Sequence, residues 1–176
     1  MRLVAVALGL DASWFDNMLE PNASTFAVNH YPPRSEAAGP TSRNCCSPST
    51  PTATRSRSCT SGAPTGLQVQ PVDEPGTWIG IPVVDDAFVV NVGELMTRWT
   101  NDHWPSTRHR VLPADGPGDS RPTLTTFHMP ALDAVVAPLE VCGGKDDPHY
   151  APVTPYEWER DFMARSSKRR APRRSR

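Results

Sequence analysis

The stretch that decides the fold is Asn91–Pro130, NVGELMTRWTNDHWPSTRHRVLPADGPGDSRPTLTTFHMP. The apolar strand Ala87–Val92 leads into this stretch, and the apolar segment Leu124–Phe127 lies near its end. Residues rich in Gly, Pro and Asp between the apolar segments indicate turns. The residues alone predict two strands, with a potential metal ligand, His109, on the first and a potential carboxylate-binding arginine, Arg121, at the start of the second.

Length and composition favour one β-rich domain without a strongly charged partner. The chain has 176 residues, a formal net charge of −1 and 20 prolines. This length is enough for one domain with a core, and the prolines favour loops and strands over a helical bundle. A net charge near zero predicts neither nucleic acid nor a membrane surface as a partner, and no apolar run reaches the roughly 20 residues that a membrane span needs.

Outside the central stretch, short apolar and alternating segments separated by turn residues predict further strands. The predicted strands are Ser24–Tyr31, Gly66–Gln70, Thr77–Ile81, Ala87–Val92, Arg108–Leu112, Thr123–His128 and Ala134–Pro138, with Ala87–Val92 of the kind that is buried on both faces. Met1–Leu19 is a predicted helix interrupted at Gly9, with Asp11 or Ser13 as a cap for a second helical segment. Gly93–Trp99 is predicted as a short helix or turn, and Pro155–Ala164 as a helix with Trp158 and Phe162 at helical spacing. The pattern predicts a mainly β protein, a barrel or sandwich with a few helices outside.

The N-terminal residues MRLVAVALGL look briefly like the apolar core of a signal peptide. A basic region before this core and a small-residue cleavage site after it are both missing, so we interpret it as part of a helix in a cytoplasmic protein. The four cysteines have no zinc-site spacing, and disulfides are not expected in that compartment.

One segment, 44–60 (NCCSPSTPTATRSRSCT), differs from the rest of the chain. It contains no aliphatic residue larger than alanine, shows no period and holds three of the four cysteines. One interpretation is a disordered low-complexity loop. However, structureless inserts of this length are uncommon in compact domains, so that interpretation is itself doubtful.

Six segments resemble one family and lie in its order: NHYPPR at 29–34, GLQVQ at 66–70, WIGIPVVDDAFVVNVGELMTRWTND at 78–102, STRHRV at 106–111, SRPTLTTFHMPALDAVVAPL at 120–139 and YAPVTPYEWERDFM at 150–163. From Val28 onward, apart from 44–60, the chain thus resembles the C-terminal oxygenase domain of the iron(II)/2-oxoglutarate dioxygenases, in the isopenicillin N synthase-like branch. No single segment would suffice, but together they are spread over most of the chain, from Asn29 to Met163.

The resemblance implies a double-stranded β-helix, a jelly-roll-like barrel with a few flanking helices, here incomplete. It also implies Fe(II) held on one face by two histidines and one carboxylate, which leaves open positions for the co-substrate 2-oxoglutarate and for O₂. The implied activity is oxidation of a small organic substrate by hydroxylation, desaturation or ring closure. The substrate, the reaction subtype and the oligomeric state are not indicated by these segments.

The resemblance assigns roles to a few residues. His109 matches the family's distal iron-binding histidine, although on spacing alone a surface histidine in a basic strand is the simpler interpretation. Arg121 matches the arginine of an Arg-x-Ser motif that binds the far carboxylate of 2-oxoglutarate, and Thr123 replaces the serine while keeping a hydroxyl; a solvated charge at a strand start is the alternative. Tyr31 matches a tyrosine that often touches the co-substrate, or is an aromatic residue of the barrel wall. His128 lies where substrate-side residues often lie.

The family's other two iron ligands form a His-x-Asp motif before GLQVQ, and this chain lacks it. No histidine lies between His30 and His103, and no aspartate lies between Asp16 and Asp73. In a shifted frame, codons 48–60 can encode Glu-His-Thr-Asp-x-x-x-Leu-Thr-Leu-Leu-His, with the family's spacing. We therefore interpret 44–60 as translated out of frame, and a native replacement loop is the alternative.

These observations predict three parts: 1–24 as a helical remnant of an N-terminal part, 25–165 as the oxygenase domain and 166–176 as a basic disordered tail. The lost aliphatic strand should leave neighbouring strands with unpaired edges and the core unfilled. A site with one His is weak for Fe(II), so we expect poor iron binding and impaired activity. The alternatives are a non-catalytic barrel with a carboxylate pocket and a binder of an acidic partner through KRRAPRRSR, for which a solvated tail is the simpler interpretation.

Overall fold

The computed structural model describes residues 1–31, 52–56, 66–84, 86–112 and 121–170, with the backbone alone described at 52–56, 121 and 166–170. The chain divides into two compact units. The first, which we call the helical unit, comprises Met1–Ala23, Arg98–Asn101 and Met129–Arg176. The second, which we call the sheet unit, comprises Ser24–Thr97 and Asp102–His128.

The sheet unit contains two antiparallel sheets. Its strands in chain order are β1 (Thr25–Tyr31), β2 (Thr52–Ser56), β3 (Leu67–Gln70), β4 (Ile79–Gly80), β5 (Val89–Asn91), β6 (Arg108–Val111) and β7 (Arg121–Phe127). The larger sheet has the strand order β1-β7-β2-β5, and the smaller has the order β4-β3-β6. Every strand except β2 coincides with or overlaps a predicted strand in the sequence. The predicted strand Ala134–Pro138 is wrong, because its Val136 makes only an isolated bridge to Val153.

The four-stranded sheet has a buried polar face and an exposed apolar face. Thr123 and Thr125 of β7 are 6% and 7% exposed. On the other face, Phe26 and Val28 of β1 are 62% and 64% exposed, and Val90 of β5 is 70% exposed. The prediction that the Ala87–Val92 strand is buried on both faces is therefore wrong.

β2 occupies an inner position of this sheet. Thr52 lies opposite Asn91 of β5, and Ser56 lies opposite Thr123 of β7. The unpaired edges expected on the strands beside this segment are therefore not found, because β2 pairs with both β5 and β7. Every residue except proline can donate and accept backbone hydrogen bonds, and β2 contains no proline. The rest of the segment 44–60 lies outside the described residues.

Three helices form: α1 (Arg2–Ala7), α2 (Glu94–Trp99) and α3 (Pro155–Arg170). The predicted interruption at Gly9 is confirmed, because α1 ends before it and Gly9 adopts a φ of +74°, which is left-handed backbone. A single turn of 3₁₀ helix, Asp16–Met18, follows. Among the described residues, no helix combines the length and the apolar character that crossing a bilayer requires.

The start of α3 is fixed by a reciprocal cap. The backbone N–H of Thr154 donates to Glu157 Oε2 at 3.0 Å, and the backbone N–H of Glu157 donates to Thr154 Oγ1 at 3.2 Å. The Thr154 hydroxyl also donates to Glu157 Oε2, and the two hydrogen bonds that Thr154 donates to this carboxylate lower the pKa of Glu157 below its usual range. The helix continues past Ala164, where the sequence predicted its end, to Arg170. Residues 171–176 of the predicted tail lie outside the described residues.

Aromatic residues form the core of the helical unit. The rings of Phe15 and Trp99, which are 0% and 1% exposed, meet edge to face with centroids 5.0 Å apart. Trp158 and Phe162 of α3 are stacked at 5.4 Å, as their helical spacing predicted. The buried Asn101 joins distant backbone groups, since its amide donates to the carbonyl of Asp147 at 2.9 Å.

Candidate functional site

Three residues predicted to bind the co-substrate lie together at the β1–β7 pair. Tyr31 is directly opposite Arg121, and Asn29 is directly opposite Thr123. Residues opposite each other in antiparallel strands have Cβ atoms about 4.5–5.5 Å apart. Thr123 is buried and Tyr31 is half-buried, so the hydroxyl groups of these two residues are partly withdrawn from water. The side chain of Arg121 lies outside the described part of the structure.

The predicted iron ligand His109 lies on β6 in the smaller sheet, opposite Val69 of β3. Its ring is half-buried, and Nδ1 is 3.2 Å from the backbone carbonyl of Thr107. Because a carbonyl oxygen only accepts, this hydrogen bond places the proton of a neutral ring on Nδ1 and the lone pair on Nε2. Metal-binding histidines are commonly oriented in this way by a carbonyl.

The opposite face of β6 carries two arginines that hold it against β3. Arg110 donates from Nε to Gln68 Oε1 at 2.7 Å, and its guanidinium carbon is 4.2 Å from the centroid of the Trp78 ring. Arg108 donates to Gln70 Oε1 at 3.4 Å. These cross-strand contacts stabilise the strand that carries the predicted ligand. Motif comparison does not reveal them, although alternate residues of GLQVQ are glutamine and alternate residues of RHR are arginine.

The available side chains do not fit the implied Fe(II) site. Within the described ranges, no three His, Cys, Asp or Glu side chains come together as a group that could hold a metal ion. The sequence explains this result, because the segment 32–66 between β1 and β3 contains neither His nor Asp. An open Fe(II) site of this kind needs two His and one carboxylate, and His109 alone corresponds to one of them.

His128 follows β7 and is only half satisfied by hydrogen bonds. Its Nδ1 is 3.0 Å from Oγ of Ser24, the residue that precedes β1. Its Nε2 is buried and has no hydrogen-bond partner in the described part of the chain. A buried charge without a partner is costly, and burial accordingly lowers the pKa of His128 below its usual value.

This lowered pKa predicts an acid-sensitive stability. Above about pH 6.5, the ordinary pKa of histidine, the ring is neutral in the folded and unfolded chains. Below that pH the unfolded chain takes up a proton that the folded chain resists, so the free energy of unfolding falls until the pH reaches the lower, folded-state pKa. The variant His128→Asn can keep a hydrogen bond to Ser24 but cannot titrate. Urea unfolding between about pH 5 and 8 should give a flatter profile for this variant, and an unchanged slope would contradict the assignment to His128.

Comparison with known proteins decides the family. Residues 22–130, more than half of the chain, match the family model described as the 2OG-Fe(II) oxygenase superfamily. The chain belongs to the 2OG-Fe(II) oxygenase superfamily. This result confirms the family resemblance of the sequence segments, and the members of this superfamily use Fe(II) and 2-oxoglutarate.

Two curated relatives illustrate how much of a 2OG-Fe(II) oxygenase is present. Gibberellin 2-beta-dioxygenase of Phaseolus coccineus is 36% identical over 148 residues, which cover 79% of this chain and 42% of the relative. Validamycin A dioxygenase of Streptomyces hygroscopicus subsp. limoneus is 32% identical over 143 residues, which cover 79% of this chain and 38% of the relative. The chain therefore spans less than half the length of these curated relatives.

A solved structure supports the fold. The dioxygenase for auxin oxidation in rice matches with a TM-score of 0.74 at 23% identity, over 93% of this chain and 52% of that chain. A match at this identity shows the fold alone, and it confirms the predicted double-stranded β-helix. The described strands form two separate sheets, and no closed barrel is found among them.

Proposed function

We propose that the activity of this 2OG-Fe(II) oxygenase couples the oxidative decarboxylation of 2-oxoglutarate to the oxidation of a small organic substrate. The oxidation is a hydroxylation, a desaturation or a ring closure. Two of its relatives are named for the small molecules gibberellin and validamycin A, which supports the substrate class. The chain with its present sequence retains the co-substrate side of that activity and is impaired in oxidation, because the donors that Fe(II) requires are missing from it.

The observation that carries this proposal is the cross-strand position of Tyr31 and Arg121 beside the buried Thr123. A guanidinium stays charged at every physiological pH and can form two parallel hydrogen bonds to one carboxylate. The hydroxyls of tyrosine and threonine can donate further hydrogen bonds to the same group. Charge pairing is stronger where water is partly excluded, and the neighbouring Thr123 is buried.

The same residues support a second function, that of a non-catalytic carboxylate-binding protein. The specific observation in its favour is that the described residues contain no group of three metal-binding side chains. Catalysis separates this function from that of an intact oxygenase, because an intact site would bind 2-oxoglutarate more tightly with Fe(II), whereas a carboxylate pocket binds it equally with and without the metal.

Arg121→Gln is expected to weaken 2-oxoglutarate binding roughly 10- to 100-fold, since a hydrogen bond to a charged group contributes about 1.5–3 kcal/mol. Isothermal titration calorimetry in the absence of metal measures this effect. The matched control is Arg108→Gln, which removes the same charge from an exposed position on the other sheet and should leave binding unchanged.

Two results would contradict the proposed pocket. Equal losses in the Arg121 and Arg108 variants would show that net charge, not a specific contact, attracts the ligand. Absence of 2-oxoglutarate binding at millimolar concentration in the unmodified chain would refute the carboxylate pocket itself. A repeat of the titration with Fe(II) should give the same affinity, and tighter binding with the metal would contradict the proposed loss of the iron donors.

A further inference from the structure

The outer edge of β1 is open. β1 lies at one end of the four-stranded sheet and pairs with β7 along its whole length, Thr25–Tyr31. Alternate residues of an antiparallel strand direct their N–H and C=O groups to opposite sides, so half of the backbone groups of β1 point away from β7. In the part of the chain that the structure describes, Thr25–His30 makes no hydrogen bond on this outer side. Such backbone groups can bind a further strand.

β1 also lacks the features that protect strand edges from pairing. Natural edge strands are protected by short length, by charged side chains or by proline. The edge strands β4 and β5 are two and three residues long, and the edge strand β6 carries Arg108 and Arg110. β1 is seven residues long, reads TFAVNHY and contains no Lys, Arg, Asp, Glu or Pro. Among the four edge strands of the described sheets, β1 is therefore the one best suited to accept another strand.

The side chains of β1 favour a second copy of the same strand as the partner. Phe26 and Val28 are exposed on one face of the sheet. A two-fold axis perpendicular to the sheet would pair β1 antiparallel with β1 of a second copy and keep this face on the same side in both copies. In the register centred on Ala27, Phe26 of each copy lies opposite Val28 of the other. Aromatic and β-branched residues form favourable cross-strand pairs, and no like charges meet because the strand carries none.

The other edge of this sheet limits the assembly to two copies. An open filament would need a head-to-tail contact of β1 with β5, and β5 is only three residues long. Each copy instead uses its β1 in the two-fold contact, which closes the assembly. A contact along one strand edge buries less than about 1,200 Å², the range of weak and transient interfaces. The dimer should therefore dissociate on dilution.

We propose that β1 is a docking edge for a second copy of this chain. The two sheets of the dimer join into one antiparallel sheet with the strand order β5-β2-β7-β1-β1-β7-β2-β5. Backbone hydrogen bonds along β1 and the pairs of Phe26 with Val28 make the contact. The exposed apolar face stays uncovered, because the two sheets lie side by side and not face to face.

Sedimentation equilibrium over a range of protein concentrations tests this proposal. The unmodified chain is expected to show a monomer–dimer equilibrium without larger species. Val28→Lys puts like charges on diagonal neighbours across the new strand pair and should raise the dissociation constant at least about tenfold. The matched control is Val90→Lys, which puts the same charge on the same exposed face but on β5. This control should dimerise like the unmodified chain.

Three results of this experiment would overturn the proposal. The first is an unmodified chain that stays monomeric at millimolar concentration. The second is a Val28→Lys variant that dimerises as tightly as the unmodified chain. The third is equal weakening by Val28→Lys and Val90→Lys, which would show that the copies pack face to face.

Hydrogen exchange of the unmodified chain tests the same edge without a substitution, so it does not depend on the folding of a variant. If β1 pairs with β1, the outward amides of Thr25–His30 exchange only from the monomer. Their exchange should slow about tenfold when about nine tenths of the chain is dimeric, while the amides of β5 and β6 keep their rates. Exchange in Thr25–His30 that is the same in dilute and concentrated samples would contradict edge pairing.

Discussion

The chain with its present sequence, supplied with Fe(II), O₂ and 2-oxoglutarate, is expected to release no more CO₂ from 2-oxoglutarate than its His109→Ala variant. One imidazole cannot hold Fe(II) with the open positions that the co-substrate and O₂ require, so removing this last matching ligand should change nothing. The measurement is the release of labelled CO₂ from labelled 2-oxoglutarate. Fe(II) is added to the protein under anaerobic conditions, and O₂ is then supplied in a controlled amount.

An intact 2OG-Fe(II) oxygenase in the same assay serves as the positive control. Faster CO₂ release from the unmodified chain than from the His109→Ala variant would contradict the prediction. It would show that residues other than the family's His-x-Asp motif complete a metal site. Because His109 lies on β6 and is only half-buried, its removal should leave the fold intact, and circular dichroism of the variant verifies this.

The second large effect concerns the core of the helical unit. Trp99→Ala is expected to reduce the free energy of unfolding by about 3–5 kcal/mol, the cost of deleting a large buried aromatic side chain. The Trp99 ring is 1% exposed and meets Phe15 edge to face, so the cavity is bounded by another rigid ring and cannot close easily. Small domains are stable by about 5–15 kcal/mol, so this loss is a large fraction of the total stability.

Tyr156→Ala is the matched control for this variant. It also deletes an aromatic ring from the helical unit, but Tyr156 is 58% exposed, and its loss should change stability by less than about 0.5 kcal/mol. Urea unfolding followed by circular dichroism compares the three chains. A Trp99 variant that loses no more stability than the Tyr156 variant would show that the aromatic contact does not support the fold.

Segments with a clear period and strong turn residues were predictable. β1 was predicted to within a residue because its alternation is followed by Pro32 and Pro33, which cannot continue a ladder. The interruption of the Met1–Leu19 helix was predictable because glycine readily adopts the positive φ found at Gly9, whereas the segment after it forms only a single turn of 3₁₀ helix. A continuous apolar run such as Ala87–Val92 also cannot reveal its burial, which depends on what covers the strand.

The candidate site shows the same limit. Family resemblance identified Tyr31 and Arg121 separately, but they are far apart in the sequence, and only the β1–β7 register places them opposite each other. β2 was unpredictable for the converse reason. Backbone hydrogen bonding requires only N–H and C=O groups, so a segment with no aliphatic side chain larger than alanine can still occupy a strand position.

The exposed apolar face of the four-stranded sheet has a practical consequence for work with this chain. The side chains of Phe26, Val28 and Val90 form a hydrophobic surface. In the described part of the chain, no residue covers this surface. Fluorescent dyes that light up on apolar surfaces will bind to such a patch before any unfolding begins. Dye-based melting curves of this chain will therefore start from a bright baseline, and a rise in fluorescence will be a poor marker of its denaturation.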